Sequence, residues 1–112
     1  MKSIGIATVS ALIMLASTGV AADMPRYEAE AHCEEVAAFG GEKSAMLYNS
    51  CVDMEQSAYN ELKEVWQTVP AATQTHCDDV ASFGSHGSYS LLESCVDMKT
   101  RAAENQSEFS FD

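Results

Sequence analysis

Four cysteines, at positions 33, 51, 77 and 95, constrain what this chain can fold into more than any other feature. Each pair is eighteen residues apart, and the second pair repeats the first forty-four positions on. The flanks repeat with them. His32-Cys33-Glu34-Glu35-Val36-Ala37-Ala38-Phe39-Gly40 lies over His76-Cys77-Asp78-Asp79-Val80-Ala81-Ser82-Phe83-Gly84 without a gap. Ser44 meets Ser88, Leu47 meets Leu91, and Ser50-Cys51-Val52-Asp53-Met54 meets Ser94-Cys95-Val96-Asp97-Met98; Ala58 meets Ala102. Self-similarity at one fixed period reads as a small unit made twice.

Each unit reads as helix, turn, helix. In the first, Pro25 suits an opening helical turn, and Glu28 and Glu30 complement the positive end of the helix dipole. Cys33, Val36, Ala37 and Gly40 fall at i, i+3, i+4 and i+7, one helical stripe that Gly40-Gly41 ends. Ser44 is placed to cap the next helix. That helix carries Leu47, Tyr48, Cys51, Val52, Met54, Ala58, Tyr59, Leu62, Val65 and Trp66 at helical spacing. Pro70 stops it and pushes Val69 out of the helical region. The second unit follows with a helix from near Ala71 to Phe83, a break at Gly84–Gly87, a cap at Ser88 and a helix fading after Ala103.

The expected fold is therefore all-α: two tandem helical hairpins (four helices), each stapled by one disulfide. Cys33 lies seven residues before Gly40 and Cys51 seven after Ser44, so both stand about 10 Å from the turn on antiparallel helices. Cys77 and Cys95 repeat those spacings. Of the three connectivities that four cysteines allow, the symmetric one pairs Cys33 with Cys51 and Cys77 with Cys95. Each bridge closes a loop worth roughly 3 kcal/mol in chain entropy, which a core of so few large apolar side chains needs.

Residues 1–22 read as a secretory signal: Met1-Lys2, an apolar stretch from Ile4 to Ala16, then small residues and a cut after Ala22. Hairpin 1 then spans 23–68, hairpin 2 spans 69–104, and 105–112 is a polar tail with Phe109 and Phe111. Beyond residue 22 only Arg26, Lys43, Lys63, Lys99 and Arg101 oppose all seventeen acidic residues, a net charge of −12 with histidines neutral. Such a surface repels nucleic acid and anionic lipid and favours a basic protein partner or simple solubility. The expected setting is the periplasm or the exterior, with no stable membrane anchor after cleavage.

No catalytic constellation is present. No serine sits in a nucleophile elbow, the cysteines lie deep in helices rather than in a low-pKa C-x-x-C motif, and four short helices promise little concavity. The chain reads as a binding module without a cofactor, and not as an enzyme. One sharper alternative is a metal site. His32 and His76 precede matched cysteines, Asp53 and Asp97 follow the matched partners, and hairpins packed about a pseudo-twofold axis would bring these four together. Otherwise each histidine is a helix-surface residue beside Glu28, Glu35 or Asp79. Met46, Met54 and Met98 read as core filler rather than copper ligands. The Glu34-Glu35 and Asp78-Asp79 pairs read as a solvated face. Tyr48, Tyr59 and Trp66 read as a core stripe, with an exposed aromatic anchor as the alternative. Asn105-Gln106-Ser107 matches a glycosylation triplet, which matters only in a eukaryotic secretory pathway.

Two resemblances attach to these residues. The doubled His-Cys-x-x-Val-Ala-x-Phe-Gly and Ser-Cys-Val-Asp-Met pattern resembles short exported proteobacterial proteins of unknown function, which implies a periplasmic setting. Cys51 followed by Ala58-Tyr59-Asn60-Glu61-Leu62 and Trp66 is similar to a segment of the helical periplasmic lysozyme-inhibitor family. The similarity covers about twenty residues of hairpin 1 and carries no inhibitory residue across. It implies, as a second reading of function, inhibition of a cationic cell-wall hydrolase.

Overall fold

The computed structural model describes residues 23–83 and 86–111. The signal-peptide reading falls on residues 1–22 and lies outside the described residues. Among those described there are four α-helices and no strand: α1 (Ala29–Ala37), α2 (Ala45–Val65), α3 (Ala71–Ser82) and α4 (Tyr89–Glu104). A single 3₁₀ turn, Trp66–Thr68, extends α2. Antiparallel α1–α2 and α3–α4 form two hairpins, each crossed by a disulfide, Cys33–Cys51 and Cys77–Cys95. Both bridges join Cα atoms 5.5 Å apart, the ordinary reach of a disulfide.

The local signals act where the sequence puts them. Ser44 caps α2 by accepting the Leu47 N–H at 3.2 Å, and Ser88 caps α4 by accepting the Leu91 N–H at 3.2 Å. Val69 is extended, at φ −76 and ψ 130, because Pro70 follows it. The first helix is shorter than its pattern suggests. It begins at Ala29, not around Pro25, and ends at Ala37, with Gly40 (φ 92) and Gly41 (φ 132) turning the chain beyond it. Residues 23–28 form instead an extended strap laid over hairpin 2, where they gain partners that an extra helical turn would forfeit. The Tyr89 hydroxyl donates to the Pro25 carbonyl (2.8 Å) and accepts the Tyr27 N–H (2.8 Å). The Tyr27 ring lies so close to Gly87 that a Cβ there would come within 2.5 Å of it.

The hairpins pack on each other through α2 and α4. Ala58, Leu62, Trp66 and Val69 meet Tyr89, Leu92 and Val96, with Cys77 and Ala81 of α3 beneath. Contacts advance together along both helices: Glu55 with Ser88, Tyr59 with Tyr89, and Glu61 with Glu93. The two helices thus run in the same direction, the C-terminal half of α2 beside the N-terminal half of α4. Unlike halves of matched helices meet, which a pseudo-twofold axis would forbid. Residues 105–111 are exposed and irregular beyond α4.

Candidate functional site

The residues of the metal reading do not gather. His32 is half-buried on α1, with Nε2 4.0 Å from Glu55 Oε2. His76 and Asp53 are exposed on α3 and α2, and Asp97 is exposed on α4, paired with Arg101 at 3.0 Å. Among the described residues no three His, Cys, Asp or Glu side chains are arranged to hold a metal ion. The reason is the offset docking: matched residues sit far along from one another instead of facing across an axis.

Glu55 is the polar centre of the hairpin junction, and the sequence reading passed over it. It is 3 % exposed, in mid-stripe on α2 between Cys51 and Ala58. Its carboxylate accepts the Ser88 hydroxyl (2.8 Å) and the backbone N–H groups of Tyr89 (2.6 Å) and Ser90 (3.3 Å). An anion from hairpin 1 therefore satisfies the first turn of α4, where the dipole favours negative charge. The matched residue in hairpin 2 is Lys99, and that break in the repeat was the available signal.

His86, also unremarked in sequence, binds the hairpins at their rim. Its ring nitrogens stand 3.1 Å from Glu28 Oε1 and 3.1 Å from Glu35 Oε2, and these two bonds raise its pKa above the ordinary histidine value. Glu28 and Glu35 thus serve His86 rather than His32. The acidic pairs are only partly a solvated face. Glu34 binds Lys43 at 2.8 Å, and Asp78, half-buried, accepts the Tyr27 hydroxyl at 2.7 Å. Burial, then that bond, holds the Tyr27 phenol well above its usual range.

There is more concavity than four short helices promise. A cleft of about 870 Å³ opens between the C-terminal parts of α2 and α4, floored by Leu62, Val65, Val69 and Val96 and rimmed by Glu61, Glu93, Asp97 and Glu104. Burial and the neighbouring Glu61 push the Glu93 carboxyl up to about 7. Glu61 and Glu93 thus meet across the α2–α4 interface, with Thr73, Ser94, Lys99 and Thr100 among the other residues of the cleft.

A second surface carries more information. Met54 and Met98, expected in the core, are 60 % and 68 % exposed, and Met46 is exposed as well. Leu47 and Leu91 are 49 % and 51 % exposed. Val36 and Val80 are partly exposed, and Phe39 and Phe83 stand almost free at the two hairpin turns. Every one of these four pairs is the same residue in both hairpins, and every one is left uncovered. The aromatic residues divide: Trp66 is buried, Tyr59 packs edge-on against Tyr89, and Tyr48 is half-buried under the Lys43 ammonium. Val36, Leu47 and Met54 line a shallow groove of about 450 Å³ that Leu91 of hairpin 2 completes, with His32 and Glu55 among its other walls. Leu91 belongs equally to the matching set Val80, Leu91 and Met98. Leu91 and Met98 stand two turns apart on one face of α4, so the exposed apolar residues run as a ribbon from that groove along hairpin 2.

No family model matches this chain, and neither a curated protein nor a solved structure is significantly similar to it. These comparisons lend no support to either resemblance drawn from its motifs.

Proposed function

We propose that this chain is an exported binding module, not an enzyme, and that the ribbon of Val36, Leu47, Met54, Leu91, Val80 and Met98 is where a basic protein partner docks. The observation that carries the reading is the pairwise identity of exposed apolar residues. Fold requirements account for the retained cysteines, for Ala37 and Ala81 beneath the helices, and for the capping serines. They do not account for uncovered methionine, leucine, valine and phenylalanine kept at the same four places twice. Contiguous exposed apolar surface with polar surroundings is the ordinary mark of an interaction site. The charge of −12 beyond residue 22 supplies the sign of the partner.

Two disulfides and no free cysteine among the described residues suit an oxidising compartment outside the cytoplasm. Among the described residues no helix is long and apolar enough to cross a membrane. We take the compartment to be the periplasm or the exterior, reached on residues 1–22 and entered by cleavage after Ala22. A more specific form of the reading makes the partner a cationic cell-wall hydrolase, blocked sterically and by charge; the acidity of the chain favours it.

The test is a photo-crosslinker placed at position 54, in protein recovered from the exported fraction. Its intact mass, once the crosslinker is allowed for, should equal residues 23–112 less four hydrogens. A discrete adduct to a basic protein, lost on raising the salt, is the expected result. Adducts only to abundant acidic or unrelated proteins, equal to those from a crosslinker at exposed Lys99, would overturn the reading. Inhibition of a cationic lysozyme in a cell-wall turbidity assay distinguishes the hydrolase form from the general one.

A further inference from the structure

We infer that the occupant of the ribbon is a single basic amphipathic helix, lying across both hairpins with one apolar anchor in each. The inference rests on the binding reading above and deepens it by naming the shape and chemistry of the partner.

Three observations lead there. First, the ribbon is made of Val, Leu and Met side chains on helices, so it offers no row of backbone donors and acceptors, and the described residues contain no sheet edge. An extended segment laid on it would leave its own N–H and C=O groups without protein partners, whereas a helix satisfies those groups internally. Second, the two seats are translated copies, not mirror images. Glu61 is level with Glu93, so Met98 lies level with Trp66, just past the end of α2. It stands about twelve residues, or roughly 18 Å of helix rise, beyond Met54, and about one helix diameter to the side. The seats are therefore about 20 Å apart, which is close to four turns of helix, so anchors on one helical face reach both. Third, Asp53 stands exposed beside Met54 and Asp97, paired with Arg101, beside Met98, and the chain beyond residue 22 carries a net charge of −12, so its acidity reaches the flanks of the ribbon. A second copy of this chain would bring the same negative charge to the contact, which disfavours it as occupant.

The probe is a synthetic lysine-flanked, leucine-faced helix of about twenty residues, long enough for both anchors, with a version of about ten residues that reaches only one. Binding to the disulfide-intact chain is read by fluorescence anisotropy at two salt concentrations. Met54→Gln and Met98→Gln keep charge and size, and both sites are exposed, so circular dichroism should show the fold unchanged. The long peptide should bind at least tenfold more tightly than the short one. Each glutamine variant should weaken the long peptide by roughly tenfold, to a similar degree.

If only Met54→Gln matters and the short peptide binds as well as the long, the two-seat inference fails while the docking reading stands. If neither variant matters, the contact is charge alone and both fail. Absence of long-peptide binding overturns the helical occupant, and the crosslinked adduct at position 54 then decides whether the ribbon binds anything.

Discussion

Replacing Glu55 with alanine removes the carboxylate through which α2 accepts the first backbone N–H groups of α4. The carboxylate is 3 % exposed and accepts three donors, the Ser88 hydroxyl and the N–H groups of Tyr89 and Ser90. Hydrogen bonds to a charged acceptor contribute about 1.5–3 kcal/mol each, but the 3.3 Å bond to Ser90 is weak and adds little. Tyr89 is itself buried, so its N–H is left without a partner at a further cost of about 1–3 kcal/mol. Against this, the variant no longer desolvates a carboxylate, which returns several kcal/mol. The balance is a loss of about 3 kcal/mol, a large share of the roughly 5–15 kcal/mol by which small domains are stable. Trp66, the sole tryptophan, lies 3 % exposed in the same interface and reports its opening. Urea titration followed by its fluorescence should show the midpoint fall, with Lys99→Ala, the matched and exposed position, within about 0.5 kcal/mol of the parent. A loss from Glu55→Ala below about 1 kcal/mol would refute the view that this carboxylate joins the hairpins.

Three further outcomes are expected. His86→Ala should destabilise the chain in acid and much less in base. The histidine pKa is raised in the fold, so its contribution is complete below the free value and fades as pH climbs through the raised one; melting curves at several pH values check this. Glu93 also has a raised folded value, so its protonated form favours the fold below the ordinary glutamate range, and that benefit is lost as pH rises through about 7. Glu93→Gln should therefore be more stable than the parent above neutrality by about 1 kcal/mol, after allowing for solvent screening, and its stability should vary less between pH 5 and pH 8. Gly87→Ala places a Cβ 2.5 Å from the Tyr27 ring at a φ of +91 and should cost about 3 kcal/mol, whereas Gly40→Ala, with open space around it, should cost about 1 kcal/mol in thermal melts.

What could be read from sequence was local. Ser44, Ser88 and Pro70 act on neighbours within four residues, and the disulfide register follows from counting back from two turns, so chain order alone carries these features. Hairpin docking is different in kind. α2 presents apolar residues around much of its circumference, and periodicity cannot tell which part meets α4. Leu62 and Trp66 do, while Leu47 and Met54 do not. A chain this small has too little interior to cover every apolar stripe, so helical spacing overstates the core. The histidine and aspartate pairs lie apart for the same non-local reason. Glu55 was the one long-range feature with a visible trace, an acid in the middle of the Cys51, Ala58, Leu62 and Trp66 stripe.

The joining of unlike halves also bears on growth by repetition. A contact between different faces of equivalent units does not close on itself, and repeated without change it would generate an indefinitely extending superhelix. Here the second unit does not offer what the first does: Lys99 stands where Glu55 stood, and Gln106 where Leu62 stood. A third hairpin, or a neighbouring molecule imitating one, would meet a cation opposite its helix start and no apolar ledge to rest on. The divergence between the copies thus removes from the second unit what the first supplies, an acid and an apolar ledge, and extension of this geometry requires that both be restored.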